Sequence, residues 1–149
     1  MSLKKQAISL SLKSLTVLVL GFASPLLCAN TAEEASRLID FFVQKKGWEY
    51  KNIIVSSIQK ELLQTVYNTN KKIPLGVITD TNIDAAIVFA KTIKAVSMHP
   101  DYTMLTLEIV ERLKEDFKVY TYTVNNLKPI KRIKSYGVDG IISDFPNRL

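Results

Sequence analysis

FKVYTYTVNNLKPIKRIKSYGVDGIISDFPNRL, residues 117–149, is the stretch that decides the fold. Lys118 to Val124 is rich in β-branched and aromatic residues and reads as a strand. Asn125 and Asn126 open a helix with Ile130 and Ile133 on its inner side, and Gly137 stands where a helix C′ glycine is expected. Gly140-Ile141-Ile142-Ser143 then reads as a short buried strand. Neither strand alternates strictly between apolar and polar residues, which is the mark of strands covered on both faces. Strand, crossover helix and strand in this order give a parallel pair.

Working outward from that unit, the same alternation continues upstream. Thr31 and Glu34 fit a capping box, followed by Ala35, Leu38, Ile39, Phe42 and Val43 at helical spacing. Ile53 to Ser57 is a β-branched strand, and Leu62, Leu63, Val66 and Tyr67 return to the helical period. Ile73 to Ile78 is a strand with Pro74 near its start, where a missing donor is tolerated. A helix carries Ile83, Ala86, Ile87, Ala90 and Ile93 on one face. Ala95 to Met98 is a short strand ending at His99-Pro100, and Thr106 caps a helix bearing Ile109, Val110 and Leu113. No repeat or low-complexity linker interrupts the series, so it forms one α/β domain. Periodicity alone does not choose between an open parallel sheet and part of a barrel.

The chain has 149 residues, 47% of them hydrophobic. That is enough for one core but short of the about 250 residues of a complete (β/α) barrel. Residues 1–29 contain Lys4, Lys5 and Lys13 and no acid, then an apolar stretch from Leu15 to Leu27, and reach Leu27-Cys28-Ala29, which fits a cleavage site. This segment reads as a secretory signal peptide, leaving a domain of residues 30–149 in a periplasmic or secreted protein. Pro25 and the short apolar run disfavour a retained membrane anchor, and Leu27 before Cys28 disfavours lipidation. A buried apolar helix at the start of the domain is the other reading.

Beyond residue 29, 17 Lys and Arg face 14 Asp and Glu, a scattered net charge of +3 that does not suit a nucleic-acid partner. Lys128, Lys131, Arg132 and Lys134 form the richest basic cluster, which reads as a solvated helix face in preference to a phosphate-binding patch. Cys28 is the sole cysteine, so no intrachain disulfide forms. His99 is the sole histidine, so no two-histidine acid/base or metal site can be built from this chain.

Tyr122-Thr123-Val124-Asn125, the helix after it, and Gly137-Val138-Asp139-Gly140-Ile141-Ile142-Ser143-Asp144-Phe145-Pro146 closely resemble the terminal segment of the glycerophosphodiester phosphodiesterase family. Ile54-Val55-Ser56-Ser57 and Ile73-Pro74-Leu75-Gly76 resemble the family's middle strands, extending the match to residues 48–149. His99-Pro100-Asp101-Tyr102 stands where the family has an Asn-Pro turn. Two positions depart: Ile58 replaces an aromatic residue, and Tyr122 replaces Trp.

The resemblance implies the C-terminal portion of a TIM (β/α) barrel with its N-terminal strands missing. It implies hydrolysis of glycerophosphodiesters to an alcohol and glycerol phosphate with a divalent metal, Ca or Mg. The family's opening His-Arg-Gly strand, its Glu-x-Asp strand and its second catalytic histidine have no counterpart here, so no catalytic or metal residue is assigned. Phosphodiester cleavage needs charge stabilisation at the phosphoryl oxygens and paired proton transfer.

The pocket positions left are Tyr122, Asn125 and Ser57, together with His99, which falls at the C-terminal end of a strand, the active-site face of such barrels. Asp139-Gly140 lies on the opposite face and reads as a turn. The expected partners are a glycerophosphodiester-type small molecule and either a second copy or a complementing N-terminal half. A non-catalytic remnant or phosphodiester-binding module is the alternative.

Overall fold

The computed structural model describes the backbone of residues 16–19 and 25–149, with side chains from Thr31 onward. Its strands are β1 (Thr16–Val19), β2 (Ile53–Ser57), β3 (Leu75–Thr79), β4 (Ser97–Pro100), β5 (Lys118–Thr121) and β6 (Gly140–Ile141). Its helices are α1 (Pro25–Lys46), α2 (Lys60–Thr69), α3 (Ile83–Thr92), α4 (Leu107–Lys114) and α5 (Leu127–Ser135).

The six strands pair in sequence order, every pair parallel. One helix separates each strand from the next, giving the helix-covered parallel sheet that the apolar, non-alternating strands imply and the half-barrel that the resemblance implies.

Alternation along the strands divides the sheet into two faces. Val55, Leu75, Val77, Met98, Val119 and Ile141 join the helices in one apolar core with Leu62, Leu63, Val66, Ala90, Val110, Leu113, Ile130 and Ile133. The other, inward face carries Ile54, Ser56, Gly76, Ser97, His99 and Tyr120. The register brings Ser56 opposite Gly76, Gly76 opposite Ser97, and Ile78 opposite His99.

Most expected elements are present, with local corrections. The capping box at Thr31 and Glu34 is absent, because α1 begins six residues earlier with Pro25 in its first turn, where the missing N–H costs nothing. The buried line of α1 is Ala32, Ser36 and Ile39, whereas Leu38 is 54% exposed. Spacings of four and three keep that line on one side of the helix, and Leu38 falls outside it. Tyr50 Oη and Asn70 Nδ2 both donate to Asp40 Oδ1, at 2.8 and 2.6 Å, fastening α1 to the end of α2.

The strand expected over Ala95–Met98 runs instead from Ser97 to Pro100. Ala95 N–H is still occupied by the carbonyl of Ala90, so the chain is released into the sheet two residues later. Thr106 does cap α4, its Oγ1 accepting from Ile109 N–H at 3.2 Å. Gly137 does follow α5 in the left-handed region, at φ +72°.

The segment read as a leader contributes β1 and the first turn of α1, and α1 passes residue 30 without a break. A leader core and a strand draw on the same apolar residues, so composition does not separate them. The side chains of residues 1–29, including Lys4, Lys5, Lys13 and Cys28, lie outside the described residues.

Candidate functional site

The C-terminal ends of the parallel strands collect the polar residues of interest on one rim. Tyr122 follows β5 and is tied across the sheet by a parallel bridge to Asp101. Its phenol is half-buried and donates to the Thr79 carbonyl at 3.4 Å. Burial, then the carboxylates of Asp80 and Asp101, push its pKa up to about 12, so the phenol stays a neutral donor at physiological pH. Asp101 Oδ1 accepts from Thr103 N–H at 2.8 Å and from Thr103 Oγ1 at 2.6 Å. Three adjacent strand ends thus supply one phenol and two carboxylates. Asp80 was not picked out from the sequence; its only signal is a polar residue directly after an apolar strand.

His99 does fall at the C-terminal end of a strand, one residue before the last of β4. It lies inside β4 on the inward face, completely buried, its Nε2 2.9 Å from Ser97 Oγ and its ring edge-on to Tyr120 at 5.3 Å. Burial drives its pKa down to about 3, so it is neutral near pH 7. Its Nδ1 and the Oγ of Ser56 are buried without a hydrogen-bond partner.

Asn125 does not open α5 with its side chain. Its amide instead closes the end of the barrel segment: Nδ2 donates to Asp144 Oδ2 at 2.8 Å, and Oδ1 accepts from Asp144 N–H at 3.0 Å and Ser143 Oγ at 3.1 Å. Ser57 sits at the end of β2 opposite Val77, on the helix side, and its Oγ accepts from Gln59 N–H at 3.0 Å. The rim therefore gathers Tyr122 with Thr79, Asp80 and Asp101, and Asn125 with Ser143 and Asp144. Ser57 and His99 point elsewhere. A cleft of about 100 Å³ opens beside this cluster, between the ends of β2 and β3, sharing Thr79 and Asp80 with it and lined also by Ile58, Lys60 and Asn82.

Asp139 lies at the other end of the sheet, where a turn role was read. Its Oδ2 accepts from Val119 N–H at 2.9 Å while its own N–H donates to the Val119 carbonyl, also at 2.9 Å.

The sequence profile of the glycerophosphoryl diester phosphodiesterase family matches residues 26–148. The chain belongs to that family. It is 36% identical over 99 residues to a glycerophosphodiester phosphodiesterase of Bacillus altitudinis, covering 64% of this chain and 40% of the relative. A Bacillus subtilis glycerophosphodiester phosphodiesterase is 30% identical over 101 residues, with 34% of its length covered. The chain thus spans less than half the length of these family members.

Two solved structures share the fold. An Oleispira antarctica phosphodiesterase, in complex with the product sn-glycerol-3-phosphate, superposes with a TM-score of 0.67 at 20% identity, covering 81% of this chain and 49% of that one. A glycerophosphodiester phosphodiesterase of Parabacteroides distasonis gives 0.65 at 16% identity, covering 88% and 52%. The half-barrel corresponds to about half of each.

The divalent ion that the resemblance implies would need a cluster of carboxylate or imidazole ligands. Among the described residues no three His, Cys, Asp or Glu side chains come together to hold one, and Asp101 already spends an oxygen on Thr103. These residues do not form that site by themselves. They offer hydrogen-bonding groups, the neutral phenol of Tyr122 and the carboxyls of Asp80 and Asp101.

Proposed function

We propose that this chain is the C-terminal half of an exported glycerophosphodiester-hydrolysing barrel of lipid metabolism and hydrolyses nothing unless completed. The observation that carries this reading is that residues 26–148 match the family while the chain spans less than half the length of its members, with its one histidine buried away from the rim. His99 is held neutral and buried, and Tyr122 is held protonated. General acid/base catalysis needs a group whose pKa lies near the working pH. The two sit on opposite sides of that range, and among the described residues no three metal-ligating side chains come together; in this reading the acid/base pair and the carboxylates for Ca or Mg come from a second set of strands.

In the completed barrel, Tyr122, Asp80 and Asp101 would contact the alcohol or glycerol hydroxyls of the substrate, which pair well with neutral donors and carboxylate acceptors. A complementing N-terminal half supplies those strands in this reading. A second copy can cover the same open sheet without supplying catalytic groups. If the leader is removed near Asn30, β1 leaves with it and β2 becomes the open edge.

The test is glycerol phosphate release from glycerophosphocholine with Ca or Mg, first by the chain alone and then with an added polypeptide carrying the His-Arg-Gly and Glu-x-Asp strands. Activity is expected only in the mixture. Release by the chain alone that a chelator abolishes would overturn the proposal. The same rim also supports a non-catalytic binding module. Titrating glycerophosphocholine against the chain and its Tyr122→Phe variant reads this directly, since binding without hydrolysis in any mixture favours the module.

A further inference from the structure

The outward face of α5 carries a cluster of cations without acidic partners among the described residues. Ile130 and Ile133 point into the core, which turns Lys128, Lys131 and Arg132 outward at spacings of three and four. Like charges at these spacings destabilise a helix, and α5 contains no acid to relieve them. Among the described residues, none of the three enters an ion pair. Arg132 donates only to the Tyr102 carbonyl, at 3.4 Å, linking α5 to the loop ahead of α4.

Apolar side chains stand at the same end of the molecule. Leu127, the first residue of α5, is 60% exposed, and Leu107, the first residue of α4, is 48% exposed. Both helices start at the C-terminal ends of the strands, so the two leucines share the rim that bears Tyr122. Phe145, which follows β6 on that rim, is also exposed, with the Arg148 guanidinium 4.2 Å above its ring. Exposed leucines and an aromatic ring beside unpaired cations form an amphipathic edge, apolar to enter an interface and basic to meet anionic head groups.

We propose that this edge, Leu107, Leu127 and Phe145 with Lys128, Lys131 and Arg132, docks the protein on an anionic lipid surface with the strand-end rim facing the bilayer. The cations complement acidic head groups, and the apolar residues seat among them. A nucleic acid or acidic protein would use the cations but leave the leucines without a role. The proposal does not depend on the chain, or any completed barrel, being catalytic.

Sedimentation of the full chain with vesicles tests it, using phosphatidylcholine alone and an equal mixture with phosphatidylglycerol. Binding is expected to the mixed vesicles only, weakening as salt screens the charges. Lys128→Glu with Lys131→Glu should weaken it at least tenfold. Lys71→Glu with Lys72→Glu, the same charge change at the opposite end, should leave it within about twofold. Leu107→Ser with Leu127→Ser should reduce binding while leaving the charge unchanged, and circular dichroism confirms that each variant is folded. No binding to mixed vesicles, equal loss in both charge pairs, or binding of duplex DNA in place of vesicles would each overturn the proposal.

Discussion

Gly76 lies against His99 so closely that a Cβ on Gly76 would stand 2.7 Å from His99 Nε2, and 2.8 Å from Ser97 Oγ. The glycine is therefore a consequence of the histidine. β3 passes beside β4 with room for the buried imidazole and hydroxyl only because its inward position at that register carries no side chain.

Gly76→Ala should thus destabilise the chain by about 1–3 kcal/mol, the usual cost of forcing an atom into a packed interior. A urea titration would show a lower midpoint at unchanged slope. In a His99→Ala background the same change should cost less, because the nearest atom is gone. Equal costs in both backgrounds would mean that the clash is with Ser97 Oγ instead.

Stability should fall as pH drops from about 6.5 towards 3. The unfolded His99 takes up a proton near its ordinary pKa of 6.5, while the folded one resists down to about 3. Between these values the unfolded chain binds more protons, so acid favours unfolding, by at most about 1.4 kcal/mol per pH unit for this group. Above about 6.5 its contribution is fully present. Comparing the pH dependence of urea midpoints for the wild type and His99→Phe isolates it, and parallel curves would show that His99 contributes no linkage.

Asp139→Ala should cost about 1–3 kcal/mol by stranding the Val119 N–H in a half-buried site, whereas Asp139→Asn, which keeps an oxygen there, should retain most of the stability. The Lys114 contact at 3.9 Å is exposed and too long to matter comparably. If Asn is as damaging as Ala, the charge, and not the hydrogen bond, holds this turn.

The sheet was legible in the sequence because parallel strands buried on both faces need continuous apolar runs, and Ile53–Ser57 and Lys118–Thr121 supply them. Thr106 and Gly137 were legible because caps have local chemistry. The misplacements have a common cause in tertiary context. Ala95 looks like strand, but its N–H is held by Ala90, and that two-residue delay carries β4 on through His99 to Pro100. Asn125 has the side chain of a helix opener, but the end of β6 lies close enough to take its amide. Asp80 gave only the signal of a polar residue after an apolar strand, because its relation to Tyr122 exists across three strands.

The final prediction concerns the open sides of the half-barrel. Among the described residues, β1 pairs only with β2 and β6 only with β5, so each presents a row of backbone donors and acceptors on one side. α1 packs against α2 on one flank, and elsewhere it exposes Leu38 at 54% and Phe41 at 47%, with Trp48 just beyond its end at 45%. In a closed barrel each helix has a neighbour on both sides, and these side chains are of the kind such a neighbour covers. The chain should therefore self-associate at micromolar concentration, with a sedimentation coefficient that rises on concentrating. Leu38→Lys with Phe41→Lys should shift the population towards monomer without unfolding it, because both side chains are exposed in the isolated chain. A complementing N-terminal half should compete with self-association, since it covers the same surface. A monodisperse wild-type monomer that unfolds cooperatively would show that the exposed edges and the α1 patch tolerate water, and would make the chain a self-sufficient open α/β domain.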